Sequence, residues 1–160
     1  MWGTLGTAAC YLLVVLTCAL LMMPPYSEGH DQHDVVAAHL RSELEGVFLS
    51  NKVNMVMTGH LHSYERTCPV ANGACQQEGS GVGIVHLRVG TAGGTSDNCK
   101  AMDPHCPNNH TMSFNASSPF LAAGIYAYGL VSATAYNASV MQIQFVANNG
   151  TLLDSSNLYQ

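Results

Sequence analysis

Charge is what this sequence has least of. Only 9% of its 160 residues are Asp, Glu, Lys or Arg, against about a quarter in an ordinary soluble chain. Cations are scarcer still: five Lys and Arg face ten acids, a net −5 with histidines neutral. That excludes the basic footprint by which proteins hold nucleic acid. It also leaves few side-chain cations to grip an anionic substrate. The six cysteines include no CxxC pair, so the usual zinc-site spacing is missing. No internal repeat is visible. What the chain does have is 48% hydrophobic residues, enough for a buried core and against global disorder. Its length suits one modest domain. Eight histidines outnumber all lysines and arginines together. Such a chain can still attract phosphate if its histidines hold metal.

Residues 5–23 contain no charge at all. The run is long enough to span a bilayer, for which about 17–25 residues are needed. It equally fits a secretory signal without the customary basic start or an A-x-A-like cleavage site, or a strand buried in a larger α/β sheet. Two features favour an exocytic compartment: secreted, extracellular, or lysosomal or vacuolar, and membrane-anchored if the run is an anchor. Four N-x-S/T tripeptides begin at Asn109, Asn115, Asn137 and Asn149 and are candidate glycosylation sites. Cys68 with Cys75 and Cys99 with Cys106 lie in Gly-, Asn- and Pro-rich sequence where short disulfide loops fit. Cys10 and Cys18 lie in the apolar run and read as small packing residues.

The spacing of Val36, Leu40, Leu44, Val47 and Phe48 predicts a helix over 34–50, with Asp34 as N-cap and Gly46 a weak point inside. Residues 53–57 alternate as a short strand ending at Thr58-Gly59. Residues 67–80 read as loop, 83–91 as a second strand, and 92–118 as irregular. Residues 128–137 and 139–148 are strand candidates, and Asn149-Gly150 signals a turn into Thr151-Leu152-Leu153. The sum is an α/β or α+β fold with one helix amid several strands.

The chemistry concentrates in Gly59-His60-Leu61-His62-Ser63-Tyr64-Glu65-Arg66, directly after the first strand. A strand end opening into a loop is where α/β proteins place ligand sites. The i, i+2 spacing sets His60 and His62 on one side of an extended segment. From there they can grip one metal or reach two held close together. Neutral imidazole suits Zn, Fe or Mn-type ions when carboxylates complete the shell. Taken alone, an H-x-H is more often a polar loop. His39, His86, His105 and His110 belong to no motif and read as structural or exposed.

The octapeptide with the strand before it closely resembles the GHxHxYER signature of purple acid phosphatases, members of the calcineurin-like metallophosphoesterase superfamily. Pro24-Pro25-Tyr26-Ser27 resembles that family's P-x-Y-S segment, and Gly90-Thr91-Ala92-Gly93-Gly94 its glycine turn. Tyr128 to Val131, Asn137 to Ser139, Gln144-Phe145, Gly150 and Leu153-Asp154-Ser155 resemble its closing β-hairpin. The resemblance implies the C-terminal part of an α/β/β/α sandwich over residues 22–156, with 1–21 an apolar segment of separate character. The part carried here would be a mixed sheet, one main helix and a closing hairpin. It implies hydrolysis of phosphomonoester substrates by a dinuclear centre of Fe with Zn, Mn or Fe. His60 would serve the divalent metal and His62 the ferric ion. His33 and His30 would stand on the substrate side, contacting phosphate or protonating the leaving group. Tyr64 and Glu65 resemble scaffold, and Arg66 a partner for Glu65 or another surface carboxylate.

The departures from that family are as informative. Its earlier motifs are GDxG, GDxxY and GNHE, and this sequence contains no Gly-Asp dipeptide and no Gly-Asn-His. Where the family has a histidine two residues before the proline, Met22 stands here, a soft thioether. Two histidines alone bind metal weakly and without geometry. The expectation is a phosphatase portion inactive by itself. The other two readings are a non-catalytic, membrane-anchored or secreted glycoprotein binding domain, and an enzyme completed by a partner chain that carries the missing carboxylates.

Overall fold

A computed structural model describes residues 31–59, 62–90, 120–125 and 127–159. The segment 1–21, the stretch 92–118, His30, His60, Cys99, Cys106, Asn109 and Asn115 lie outside the described residues. The order of elements is one helix, α1 (Asp31–Ser50), then β1 (Met55–Thr58), β2 (Tyr64–Ala71), β3 (Ala74–Cys75), β4 (Ile84–Val89), β5 (Leu121–Ile125), β6 (Gly129–Ala135), β7 (Val140–Ala147) and β8 (Leu152–Tyr159).

The helix departs from its expected bounds and at the edge of its expected face. Asp34 lies inside α1 and so does not cap it. The buried side is Ala37 and Phe48 with Leu40, Leu44 and Leu49 half-buried, whereas Val36 and Val47 are exposed. The branched residues at 36 and 47 lie just off the stripe that meets the sheet. The C-terminus closes in a Schellman pattern: Val53 N donates to Phe48 O (2.9 Å), Lys52 N donates to Leu49 O (3.1 Å), and Lys52 is left-handed at φ 53°. Val53 packs beside Phe48, the apolar contact that accompanies this cap.

β1 runs parallel to β4, while β2 runs antiparallel to β4, β3 and β5, giving a mixed sheet in the order β1-β4-β2-β3 with β5 also on β2. β2 and β3 correct the expected loop over 67–80. The turn between them sets Asn72 (φ 52°) and Gly73 (φ 69°) both left-handed, the geometry of a tight hairpin. The Cys68–Cys75 disulfide cross-links the two strands, with Cα atoms 5.7 Å apart. Pro69 falls at the register shift of β2 against β4, where a strand tolerates a missing N–H. β5 has no counterpart among the expected elements. The closing hairpin is one strand larger than expected, a β6-β7-β8 meander.

The first sheet is covered on both faces. Phe48, Val56 and Ile84 form the core against α1. Met55, Tyr64, Val85, Leu87, Ile143, Phe145 and Leu158 form the core between the two sheets. The alternation of β4 explains the division: Ile84 and His86 face the helix, Val85 and Leu87 the second sheet. At the β6–β7 contact Gly129 is forced, because a Cβ there would run into the Val146 carbonyl oxygen and stand 2.8 Å from the Phe145 ring.

Candidate functional site

The histidine loop leaves the C-terminal end of the parallel strand β1, and its flanks are fastened to β4 and to the residue that follows it. On one side the Thr58 hydroxyl donates to Leu87 O (3.3 Å). On the other, Gly90 N donates to Ser63 O (3.2 Å), and Ser63 is buried. His62 is half-buried between these anchors. His60 lies outside the described residues, so the pairing of the two rings stands on their spacing. His33 falls within α1, and Asn137 and Asn149 occupy exposed turns of the second sheet.

Behind the loop, β2 sends alternate side chains to opposite sides. Tyr64 and Arg66 point to the second sheet. The Tyr64 ring stacks on Phe145, centroids 4.3 Å apart and planes within 9°. Its hydroxyl donates to Asp154 Oδ2 at 2.6 Å. Arg66 engages the same carboxylate through two bonds, Nε to Oδ2 at 2.8 Å and Nη2 to Oδ1 at 3.0 Å. Burial, with the Asp154 hydrogen bond, raises the Tyr64 phenol well above its usual range. Burial pushes the Asp154 acid up, but hydrogen bonds from Arg66 and Tyr64 outweigh it and hold the group below the usual carboxylate value. The main partner of Arg66 is therefore the buried Asp154 and not Glu65, the arginine side chain being only 9% exposed. Glu78 adds a looser contact at 3.6 Å from a side chain 68% exposed, which contributes little in water.

Glu65 and Thr67 point the other way. Glu65 Oε2 meets Arg88 Nη2 at 2.7 Å, both side chains under 5% exposed. The Thr67 hydroxyl accepts the main-chain N–H of His86 at 2.9 Å. His86 is buried on this face, and burial, with the nearby Arg41 charge, pushes its pKa down to about 3.

This arrangement tests the fit of a dinuclear metal centre. Among the described residues, no three His, Cys, Asp or Glu are gathered to hold a metal ion. The carboxylates nearest the motif are engaged: Glu65 by Arg88, and Asp154 by Arg66 and Tyr64. The described donor set does not fit the centre that the resemblance implies. Asp154 is the residue that the motif alone does not reveal. Its signal in the sequence is one acid flanked by Leu152, Leu153 and two serines in a strand-like segment.

Comparison with known proteins adds the lineage. Residues 83–155 match the family model described as iron/zinc purple acid phosphatase-like protein C. That match starts beyond the histidine motif, so the two lines of likeness are separate. The protein named probable inactive purple acid phosphatase 27 of Arabidopsis thaliana is 28% identical over 128 residues, 75% of this chain and 18% of that protein. Purple acid phosphatase 18 of the same plant is 31% identical over 74 residues, 46% of this chain and 16% of that protein. An acid phosphatase of Aspergillus ficuum is 25% identical over 147 residues, covering 84% of this chain and 22% of that protein. A solved purple acid phosphatase from yellow lupin seeds superposes with a TM-score of 0.59 at 23% identity, covering 73% of this chain and 19% of that one. The chain thus spans about a fifth of the length of the curated relatives it matches.

Proposed function

We propose, from the premise that this chain belongs to the purple acid phosphatase family and carries a C-terminal part of its domain, that it is a phosphatase-lineage module without hydrolytic activity of its own. The observation that supports this most is the engagement of Glu65 and Asp154. Glu65 lies within the histidine motif and Asp154 bonds its Tyr64 and Arg66, yet each carboxylate is held by a buried arginine, and neither is left to complete a metal shell. The flanks of the histidine loop are fastened at Thr58 and Ser63. In the lineage reading His60 and His62 are metal ligands and the substrate is a phosphomonoester, with the remaining ligands supplied by sequence that this chain does not contain. The Cys68–Cys75 disulfide supports an oxidising compartment on the secretory route. Among the described residues no helix is long and apolar enough to cross a membrane.

The test is to assay the purified 160-residue chain on an aryl phosphate with Fe, Zn or Mn added. The expected result is no turnover above metal alone. Metal-dependent turnover that disappears in His60→Ala or His62→Ala would falsify the proposal.

A further inference from the structure

A cleft of about 420 Å³ runs along β8, the edge strand of the second sheet. Proteins enclose small molecules in spaces of this size. An adjoining narrow recess shares Arg66, Glu78 and Tyr159 with it and reaches Asn54, just before β1. The cleft therefore opens toward the end of β1 that lies away from the histidine loop.

One wall is β8, which presents Ser155, Asn157 and Tyr159. The facing wall is the turn at Glu78-Gly79. Gly79 (φ 80°) and Gly83 (φ 93°) are both left-handed, and a Cβ at Gly83 would stand 3.0 Å from the Pro69 carbonyl carbon. A side chain does not fit there, so the turn is held close on β2. That sets Glu78 Oε1 3.6 Å from Arg66 Nη1. It also sets Gly79 against the Tyr159 ring, which a Cβ at that glycine would meet at 3.8 Å.

The chemistry of the lining selects among ligands. Its charge is one guanidinium beside two carboxylates, Asp154 and Glu78. An anion such as phosphate meets net negative charge there. A hard divalent cation needs about six or more oxygen ligands, and Asp154 is already held by Tyr64 and Arg66. The other polar groups are neutral, among them Ser155, Asn157 and Gln142. The Gln142 side-chain oxygen accepts the Tyr136 hydroxyl at 2.9 Å, which fixes its amide with the nitrogen as donor. Arg66 Nη1 and Glu78 Oε1 are farther apart than a hydrogen bond. They suit a group between them that accepts from one and donates to the other, and a hydroxyl does both. Tyr159, 40% exposed, adds aromatic surface for C–H groups.

We propose that this cleft is a binding site for a neutral carbohydrate. A pyranose hydroxyl bridges Arg66 and Glu78, further hydroxyls bond Asn157 and Gln142, and a C–H face of the ring lies on Tyr159. The site is one of recognition, with no bond made or broken. It does not depend on the phosphatase-lineage reading or on metal.

The 160-residue chain, isotope-labelled, is titrated with maltose, cellobiose and lactose, and separately with inorganic phosphate, while its amide NMR signals are followed. The expected result is saturable shifts at Glu78, Gly79, Ser155 and Asn157 with at least one sugar, and none there with phosphate. Asn157→Ala and Tyr159→Ala should each weaken that sugar about tenfold, the loss of one ordinary contact. Asn157 is exposed, so its truncation leaves the fold in place. If Tyr159→Ala disturbs signals across the two sheets, Asn157→Ala decides. Absence of saturable shifts with all three sugars overturns the proposal. So does saturable binding of phosphate at these residues, or a sugar affinity that Asn157→Ala leaves unchanged.

Discussion

His86 is a buried residue of β4 whose protonation differs between the folded and the unfolded chain. Its ring lies on the face of β4 that meets the helix, its main-chain N–H is held by Thr67, and Arg41 stands near enough to oppose a second positive charge. The folded pKa is therefore pushed down to about 3 from an ordinary 6.5. The unfolded chain takes up this proton near pH 6.5 and the folded chain does not until about pH 3. Between those values the unfolded state binds more protons, so stability falls as pH falls, by at most about 1.4 kcal/mol per pH unit. His86→Gln removes the titration. Urea unfolding from pH 6.5 to 4.5 should show the wild type losing stability faster than the variant, a window above the range where Asp154 contributes. Parallel slopes would mean that the ring charges as readily in the folded chain as in the unfolded one.

The link between β2 and β8 is an element-scale feature, because one carboxylate ties the strand after the histidine loop to the second sheet. Asp154 accepts three bonds, one from Tyr64 and two from Nε and Nη2 of Arg66. Removing one partner of a buried ion pair leaves the other uncompensated and costs about 3–5 kcal/mol. Asp154→Asn should lower the unfolding free energy by an amount of that order, read by urea denaturation, whereas Glu78→Gln, at an exposed and longer contact, should change it by less than about 1 kcal/mol. Equal effects would show that the buried bridge does not hold the sheets together. The sequence makes part of this visible. Sequence pattern reveals β1 and β4 as short apolar runs buried on both faces, and β7 as an alternation that buries Ile143 and Phe145. β2 is hidden because its inward positions include Glu65, Arg66 and Thr67, polar residues whose partners lie on β4 and β8. A local pattern cannot show a partner 88 residues away. The helix face is read correctly at Leu40, Leu44 and Phe48 and missed only at its edge. Valine at 36 and 47 looks like core, yet Ala37, a smaller residue, is the one that meets the sheet.

At the scale of the whole molecule, the described residues stack a helix on a mixed sheet on a three-stranded meander, with an apolar core at each junction. Each layer is joined to the next by apolar contact, and the sheets by the Asp154 bridge as well, with no ligand needed at either junction. The histidine motif is legible in the sequence because its eight residues are contiguous. The rest of a metal site is not, because ligands come from distant segments and only folding brings them together. Here the acids that folding brings nearby are already paired with arginines. Metal should therefore add nothing to folding. A structural zinc contributes about 10–16 kcal/mol and its removal unfolds the domain. For this chain, thermal melting with and without a strong chelator should give coincident transitions, and added zinc should leave the midpoint in place. A midpoint that rises with zinc and falls with chelator would mean that the protein assembles a tight cation site, and the proposal that it lacks a complete ligand set would have to be withdrawn.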